Sequence, residues 1–343
     1  MIESQKKIKI HIKNNRWKEG SFPNTPEGEE VFTITKDDIK KSIVDFPHLE
    51  KKIEIFIDWD QDNFSSSMKN TDILLTWDLP KIKIDQVAPN LKWIHCIGAG
   101  VEHLYPFDWL TNQVILTNNK GVHRKKAGEF GLMSILMLNN HFPKIINNQY
   151  KKKYNSLYSN PLYGKTCVIL GTGSLGGSVG ELLDPLGVNV VGVNRQGKKV
   201  KGFSKIIKSV DIDSVLPEAD FLYVALPETP ETKEIINERR LKLLKNNCGI
   251  VNVGRSSAID YLALFKMLKS EEIAGAILDV FSTEPISENS EIWDIPNLII
   301  SPHISADDGK SYIKNTLSLF LNNLECFIAN KPLNNQVDKD LGY

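Results

Sequence analysis

The sequence predicts an α/β protein with two Rossmann-like domains, each built around a parallel β-sheet, and a ligand cleft between them. Two observations lead to this fold class. At 343 residues the chain is longer than one ordinary hydrophobic core holds, since a domain averages roughly 150 residues. Short β-branched runs also alternate with helix-like stretches, and this alternation begins afresh near Thr166.

Eleven β-branched runs predict strands in two series. The first series comprises 7–13, 53–58, 71–76, 91–96 and 114–117. The second series comprises 166–170, 188–193, 221–225, 249–253, 274–278 and 298–301. Two series of strands imply two sheets.

Two stretches have apolar residues at helical spacing. The first, over 125–155, predicts a long connecting helix or helix pair. Its apolar positions are Phe130, Met133, Leu136, Met137, Phe142 and Ile145. The second stretch, over 312–328, is expected to return to the first domain. That domain would then comprise residues 1–124 and 306–343, and the second domain residues 125–305.

Composition agrees with a globular protein and excludes several functional classes. Hydrophobic residues make up 41% of the chain and charged residues 24%, which is enough apolar material for cores. The 42 basic residues equal the 42 acidic ones, so we expect no nucleic-acid partner and no membrane partner. The amino terminus lacks a continuous apolar run, and no later run reaches the ~18 residues of a membrane span, which favours a cytoplasmic location.

The four cysteines lie far apart and include no CxxC pair. This spacing indicates neither a disulfide framework nor a thiolate zinc site, so no metal is expected. We interpret the thiols of Cys96, Cys167, Cys248 and Cys326 as small buried hydrophobic groups.

A strand, a glycine-rich turn and a helix follow one another over 166–187. The turn reads Gly171-Thr-Gly173-Ser-Leu-Gly176. Gly171 permits a tight turn, Gly173 lets a pyrophosphate approach the backbone, and Gly176 allows the helix to pack closely on the strand. A glycine triplet alone could be a structural turn, but this context favours a dinucleotide site with the phosphate at the helix amino terminus.

The residues after the next strand predict which dinucleotide binds. A site for NAD(H) places Asp or Glu about 20 residues after the first glycine, where it bonds the ribose hydroxyls. Here the strand runs into Asn194-Arg195-Gln-Gly-Lys198-Lys199, and 185–210 contains no acidic residue. Arg195, helped by Lys198 or Lys199, fits a 2′-phosphate, so we expect NADP(H) to be preferred over NAD(H), which the site could also accept. The lysines alone are better explained as a solvated loop face.

Polar residues follow three successive strands of the second series. Arg255 follows the fourth strand, Asp279 and Glu284 follow the fifth, and His303 follows the last. Because ligands of open α/β sheets bind beyond the carboxyl ends of the strands, these loops are expected to meet at one edge. Each residue alone has an ordinary explanation, such as a solvated histidine or a surface ion pair, but their recurrence favours a catalytic site.

These residue types suit the reduction of a carbonyl group by hydride. The alkoxide that forms must be protonated, and a histidine such as His303 can donate that proton. A neighbouring carboxylate, for which Glu284 is the candidate, would favour the protonated imidazole. A planar guanidinium, Arg255, can hold a substrate carboxylate and polarise the adjacent carbonyl, which implies a 2-oxo acid.

The first domain offers a second candidate for substrate binding. The loop Gly98-Ala99-Gly100 follows its fourth strand, and exposed backbone N–H groups there could cradle a carboxylate. A plain turn is an equal interpretation. Trp77, after the third strand, either lines the pocket or packs on the domain surface.

The sequence resembles the D-isomer-specific 2-hydroxyacid dehydrogenases over nearly its whole length. The shared motifs are CIGAGVEHL at 96–104, GEF at 128–130, GKTCVILGTGSLG at 164–176, LPETPET at 226–232, VNVGR at 251–255, GAILDVFSTEP at 275–285 and SPHIS at 301–305. The glyoxylate/hydroxypyruvate reductase A branch is the most similar, through TWDLP at 76–80, NRQGK at 194–198, EIWDIPN at 291–297 and QVDKDLGY at 336–343. One departure is Ser256, where the family generally has glycine after the arginine.

The resemblance implies roles for individual residues. It makes Arg255, Glu284 and His303 the catalytic residues. It implies cofactor binding by Gly171, Gly173, Ser174, Leu175, Gly176, Asn194, Arg195, Lys198, Leu226, Pro227, Thr232, Val253, Gly254, Asp279 and Ser305. It implies substrate binding by Trp77, Gly98, Ala99, Gly100, Arg255 and His303. A flavodoxin-like substrate domain, an NAD(P)-binding domain and a homodimer formed through the helical region after Lys125 are also implied.

We therefore expect NADPH-dependent reduction of glyoxylate to glycolate and of hydroxypyruvate to D-glycerate. Two alternatives stay open. The same machinery could act on another 2-oxo acid, such as phenylpyruvate, or on 3-phosphoglycerate. The chain could instead be a dinucleotide-sensing binding protein, because the resembling family includes transcriptional corepressors that can retain the same residues.

Overall fold

The computed structural model describes residues 6–16, 26–59, 63–80, 82–339 and 342. These residues form two compact units. The first unit contains the described residues up to Val122 and those from Asp308 onwards, and the second is the continuous segment His123–Asp307. The first unit is therefore discontinuous in sequence.

The first unit is built on a five-stranded sheet. Its strands are β1 (Ile8–Asn14), β2 (Ile53–Trp59), β3 (Ile73–Thr76), β4 (Trp93–Cys96) and β5 (Ile115–Thr117). They lie in the order β2-β1-β3-β4-β5, and all pairings are parallel. This is the strand order of flavodoxin-like sheets.

The helices of the first unit come from both parts of its sequence. They are α1 (Pro26–Phe32), α2 (Lys36–Ile43), α3 (Pro47–Glu50), α4 (Phe64–Ser67), α5 (Ile84–Val87) and, near the carboxyl terminus, α11 (Tyr312–Ile328). Helix α11 packs on the sheet: the Phe320 ring stacks on Trp93 with centroids 4.8 Å apart, and Leu317 and Leu324 are fully buried beside them. The apolar residues at helical spacing in α11 thus form the face of the helix that packs in the core.

The second unit is built on a seven-stranded parallel sheet. Its strands are β6 (Thr166–Leu170), β7 (Asn189–Asn194), β8 (Lys205–Lys208), β9 (Phe221–Val224), β10 (Gly249–Asn252), β11 (Gly275–Leu278) and β12 (Leu298–Ile300). They lie in the order β12-β11-β10-β9-β6-β7-β8. The order reverses between β6 and β9, which is the switch point where such sheets bind ligands.

Helices cover the faces of this second sheet. They are α6 (Arg124–Asn139), α7 (Phe142–Tyr150), α8 (Ser174–Leu183), α9 (Glu238–Leu241) and α10 (Tyr261–Lys269). Successive residues of one strand join opposite cores: Val168 lies in one cluster and Ile169 in the other. Strands buried on both faces need continuous apolar runs, as the sequence provides.

The predicted fold class, an α/β protein with two domains built on parallel sheets, is confirmed, with corrections to individual elements. All eleven predicted strands form, with ends within two residues of the prediction. A twelfth strand, β8, escaped prediction because it is a four-residue edge strand whose ends are exposed lysines, Lys205 and Lys208. The predicted helix over 125–155 is a pair, α6 and α7, and ends at Tyr150.

Not every apolar position at helical spacing faces a core. Phe130 is buried, whereas Met133, Leu136, Phe142 and Ile145 are 38–45% exposed within the chain. The expectation that all four cysteines are buried is wrong for Cys326, which is partly exposed because it lies on α11 near its end.

Candidate active site

The carboxyl ends of three neighbouring strands carry the predicted catalytic residues. Arg255 follows β10, Glu284 lies in the loop after β11, and His303 follows β12. The three strands are adjacent and parallel in the sheet. All three side chains line one cavity of about 1000 Å³ within the second unit. The structure thus brings these three residues together.

His303 and Glu284 form a hydrogen-bonded pair. The Nδ1 atom of His303 lies 2.7 Å from Oε2 of Glu284. The other oxygen, Oε1, accepts a hydrogen bond of 2.6 Å from the Phe281 amide, which fixes the carboxylate. Because Nδ1 faces Glu284, a proton exchanged with a ligand would pass through the other ring nitrogen, Nε2.

The surroundings of this pair favour its charged form. Burial opposes the charge of His303, but the hydrogen bond and the charge of Glu284 outweigh burial and raise the imidazole pKa above its ordinary value. Burial by itself would raise the pKa of Glu284, but the bonds from His303 and the Phe281 amide hold it below its usual value. An imidazolium facing a carboxylate is therefore favoured near neutral pH.

Asp279 holds the loop that carries His303. It is 1% exposed, and its carboxylate accepts hydrogen bonds from the Ser301 hydroxyl (2.6 Å) and the amides of Ile304 (3.0 Å) and Ser305 (3.2 Å). His303 has a φ of 58°, in the left-handed region that non-glycine residues seldom adopt. Such a conformation costs about 1–3 kcal/mol and needs support from its surroundings, which Asp279 supplies. Burial raises the pKa of Asp279.

The Arg255 loop is fixed by two residues that the sequence analysis missed. Asn252 is fully buried, and its Nδ2 donates to the Arg255 carbonyl (3.1 Å) and to the Tyr261 hydroxyl (2.9 Å). The Tyr261 hydroxyl donates in turn to the Val280 carbonyl (2.9 Å). Arg255 itself donates from Nη1 to the Gly254 carbonyl (2.9 Å). The loops after β10 and β11 are thereby tied together.

The glycine turn has the geometry of a phosphate site. Gly171 has a φ of 90°, and a Cβ on Gly176 would lie 2.0 Å from the Gly171 carbonyl oxygen, so both positions require glycine. Apart from its own chain neighbours, no described residue has an atom within 4 Å of a Cβ placed on Gly173, so the backbone there is open. Helix α8 begins at Ser174 without a side-chain cap. Its amino-terminal amides can therefore bind an anion.

One polar atom at this turn also fits a ligand. The Oγ of Ser174 is buried and has no hydrogen-bond partner among the residues that the structure describes. A buried hydroxyl without a partner is costly, and a bound pyrophosphate would satisfy it. The residues present therefore fit a dinucleotide.

The predicted residues after β7 divide into a scaffold and a charged surface. Asn194 donates from Nδ2 to Thr172 Oγ1 and to the Lys198 carbonyl, both at 3.0 Å, and its Oδ1 accepts from the Gly197 amide at 2.6 Å. These bonds shape the turn. Arg195 and Lys198 are exposed on it.

The loop after β9 packs against the loop after β10. A Cβ on Gly254 would lie 2.5 Å from the Leu226 carbonyl oxygen, which explains the glycine next to Arg255. The Thr232 hydroxyl donates to the Pro227 carbonyl at 2.7 Å and closes its own turn. Val253 is buried at the end of β10.

The first unit contains the other predicted substrate residues. The Trp77 ring stacks on His103, with centroids 4.9 Å apart, and a Cβ on Gly98 would lie 2.9 Å from that indole. The Ala99 carbonyl accepts a hydrogen bond of 2.9 Å from Nδ2 of the Asn118 side chain. Gly98, Ala99, Gly100, Trp77 and His103 therefore form one cluster beyond β3 and β4. His103 was not predicted, because its partner lies 26 residues away.

The described residues lack two features that would indicate other functions. No group of three or more His, Cys, Asp or Glu side chains in the ranges given above is arranged to hold a metal ion. Within those same ranges, no helix has the length and apolar character needed to cross a membrane.

Comparison with known proteins points to one family. Residues 132–305 match the family model described as the NAD binding domain of the D-isomer specific 2-hydroxyacid dehydrogenases. A glyoxylate reductase from Thermofilum pendens is 29% identical over 260 residues, which cover 73% of this chain and 77% of that protein.

Solved structures share the fold over nearly the whole chain. A D-isomer specific 2-hydroxyacid dehydrogenase from Xanthobacter autotrophicus Py2, solved with NADPH and MES, has a TM-score of 0.82 at 24% identity and covers 98% of this chain and 100% of that one. An NADPH-dependent glyoxylate/hydroxypyruvate reductase from Sinorhizobium meliloti, solved with NADP and sulfate, has a TM-score of 0.78 at 24% identity, with the same coverage.

Proposed function

The chain belongs to the D-isomer specific 2-hydroxyacid dehydrogenase family of NAD(P)-dependent oxidoreductases, and on this premise we propose that it reduces glyoxylate and hydroxypyruvate with NADPH. The observation that carries the proposal is the His303–Glu284 hydrogen bond of 2.7 Å in a cavity that Arg255 also lines. An acid and a guanidinium at one site are what reduction of a 2-oxo acid requires.

His303 serves as the general acid. NADPH held at the glycine turn Gly171–Gly176 would supply the hydride for the substrate carbonyl carbon, and the carbonyl oxygen would then need a proton. His303 donates a proton to this oxygen from Nε2, while its Nδ1–H stays bonded to Glu284. In the oxidative direction the neutral imidazole takes the proton back. The raised pKa of His303 keeps the acid form present near neutral pH.

Arg255 binds and polarises the substrate. Its planar guanidinium can donate two parallel hydrogen bonds to the carboxylate and attract the electrons of the adjacent carbonyl. Asn252 and Tyr261 fix the backbone that carries it. The roles of Trp77 and Gly98–Gly100 in substrate binding stay predictions.

The charge after β7 supports NADPH over NADH. Arg195 and Lys198 are exposed there, and no carboxylate stands at the end of the strand to bond ribose hydroxyls. A 2′-phosphate is attracted by this charge. Asp279 and Ser305 bond each other and so support the loop that carries His303, while their predicted contact with the cofactor stays a prediction.

The proposed function is tested by cofactor oxidation. The purified chain is mixed with NADPH or NADH and with glyoxylate, hydroxypyruvate, phenylpyruvate or 3-phosphohydroxypyruvate. We expect rapid oxidation of NADPH with the first two acids. Faster turnover of either of the last two acids would identify that acid as the preferred substrate instead. Binding of NADPH without any oxidation would instead support a dinucleotide-sensing protein.

The same assay tests the cofactor preference. Replacing Arg195 by glutamate removes a cation and supplies a carboxylate, so kcat/KM with NADPH should fall roughly 100-fold relative to NADH. Lys201→Glu, which changes an exposed cation farther along this loop, is the matched control and should leave the ratio nearly unaltered. An unchanged preference in Arg195→Glu would contradict the assigned role.

We further propose that two copies of the chain associate through α6 and α7. Met133, Leu136 and Phe142 are exposed apolar residues that line a shallow cavity of about 380 Å³. Apolar patches of this kind mark association surfaces. Leu136→Lys is expected to yield monomers in light scattering, whereas Leu262→Lys, at a 76% exposed site on α10, should not. A parent chain that is monomeric at micromolar concentration would refute the proposal.

A further inference from the structure

Three consecutive carbonyl groups of the loop after β4 accept hydrogen bonds from the segment after β5. The Asn119 side chain donates from Nδ2 to the Ile97 carbonyl at 2.6 Å, and its backbone amide donates to the Gly98 carbonyl at 2.9 Å. Nδ2 of Asn118 donates to the Ala99 carbonyl at 2.9 Å. The two asparagines therefore hold this loop along its length.

These bonds determine where the amides of the loop point. In a trans peptide the N–H group points away from the carbonyl group of the same peptide unit. The Ala99 amide shares its unit with the Gly98 carbonyl, and the Gly100 amide shares its unit with the Ala99 carbonyl. Both amides therefore point away from the two asparagines. Ala99 and Gly100 are partly exposed, and no residue that the structure describes accepts a hydrogen bond from either amide.

A buried chain of hydrogen bonds fixes the orientation of the Asn119 side chain. It begins at Trp93, whose Nε1 can only donate and does so to the Thr117 hydroxyl at 2.8 Å. Thr117 gives its own proton to Nδ1 of His95 at 2.7 Å. The imidazole therefore carries its proton on Nε2, which lies 3.0 Å from Oδ1 of Asn119. This leaves Nδ2 of Asn119 to face the Ile97 carbonyl.

The opposite end of the chain requires the same orientation. Thr316 donates from Oγ1 to the Tyr312 carbonyl at 2.9 Å, so this oxygen accepts a bond of 2.7 Å from Nδ2 of Asn119. The Tyr312 hydroxyl also donates to the Ile97 carbonyl. Both residues belong to α11, so this helix and the loop share one network.

The centre of this network excludes solvent. His95, Thr117, Asn119 and Thr316 are fully buried. Burial lowers the pKa of His95 to about 4, so its ring is neutral near neutral pH and Nδ1 stays an acceptor. Because an unpaired polar group is costly in such surroundings, the one arrangement of protons that satisfies all four residues is strongly favoured.

We propose that Asn118 and Asn119 are positioning residues that aim two adjacent backbone amides at the carboxylate of the substrate. The amides are those of Ala99 and Gly100, and successive amides of this kind form anion sites. The inference rests on the proposed function, which supplies the 2-oxo acid. Neither asparagine touches the reacting atoms, so a change at either should alter binding of the acid rather than the chemical step.

A non-reacting acid tests where the amides point. Oxalate has carboxylates but no keto group that can be reduced. When it is titrated into the parent chain, the amide resonances of Ala99 and Gly100 should shift along the binding curve that calorimetry gives. Resonances that stay in place at saturation, or no binding at millimolar oxalate, would overturn the inference. This titration involves no turnover, whereas the proposed function fails when no 2-oxo acid oxidises NADPH.

Asn118→Leu tests the positioning role, because leucine has nearly the same size but neither a donor nor a charge. We expect KM for glyoxylate and Kd for oxalate to rise roughly 10-fold, with kcat within about 3-fold of the parent and an unaltered KM for NADPH.

Asn323→Leu is the matched control for this variant. Asn323 is also buried, and it donates to the Asn334 carbonyl at 3.0 Å and accepts from the Asn334 amide at 2.7 Å. Its replacement should lower thermal stability without raising either constant. Equal increases in the two variants would show a merely structural role and overturn the proposal.

The buried chain also predicts the tautomer of His95 in the parent. Its ring should carry a single proton, on Nε2, throughout the neutral pH range. Long-range ¹H–¹⁵N correlation spectra distinguish the two tautomers, and the signals are assigned through the Trp93 ring, whose centroid lies 6.1 Å away. A proton on Nδ1 instead would reverse the Asn119 side chain and overturn the proposal.

Discussion

Replacing Arg255 by alanine is expected to lower kcat/KM for every 2-oxo acid substrate by roughly 10³-fold. The change removes both the guanidinium that binds the carboxylate and the charge that polarises the carbonyl. Arg255→Lys restores the charge but not the planar pair of donors, so it should recover only part of the loss. Steady-state oxidation of NADPH measures both effects, and fluorescence measures cofactor affinity, which should be retained.

A matched control distinguishes substrate binding from a general loss of charge. Lys266 lines the same cavity as Arg255 but is exposed on α10. Lys266→Ala should leave turnover nearly unaltered. Turnover in Arg255→Ala close to that of the parent would remove Arg255 from the mechanism.

His303→Asn should lower kcat roughly 10³-fold while the protein stays folded. Asparagine tolerates the left-handed backbone of this position better than alanine does, and its amide can still donate to Glu284. It cannot donate a catalytic proton, so the loss reports acid catalysis. Cofactor binding and thermal unfolding should resemble those of the parent.

Glu284→Gln is expected to change the pH dependence of kcat. The Glu284 carboxylate raises the pKa of His303, so its neutral replacement should lower that pKa. Because reduction requires the imidazolium, the alkaline limb of kcat should move to lower pH. The pH profile of kcat, measured for Glu284→Gln and for the parent, checks this. An alkaline limb that stays in place would show that another group supplies the proton.

The strands and the ends of the strands could be predicted because their signals are local. A strand buried on both faces is a short continuous apolar run, which can be recognised from a few neighbouring residues. The positions of Arg255 and His303 then follow from where such runs end. The Lys205–Lys208 strand lacked that signal, since an edge strand with exposed lysines resembles a loop.

The roles of the supporting residues could not be predicted because a motif does not show which groups a side chain bonds. The motif of Asp279 predicts a cofactor contact but does not show that its oxygens accept hydrogen bonds from a loop 22 to 26 residues later. Asn252 lies within the VNVGR motif and Tyr261 outside any motif, and neither was given a role, although together they fix the Arg255 loop. A pattern predicts where a polar side chain lies but not which backbone groups it binds.

The continuous segment His123–Asp307 bears on how such a protein can be engineered. A hydrogen bond between His123 and the Ala306 carbonyl places its two ends side by side, so the segment resembles a module inserted into a single position of a host chain. The excised segment 123–307 would have its two termini already side by side. A short linker from Val122 to Asp308 could rejoin the remaining chain. Each half could then be exchanged with that of a relative while the other half keeps its own connections.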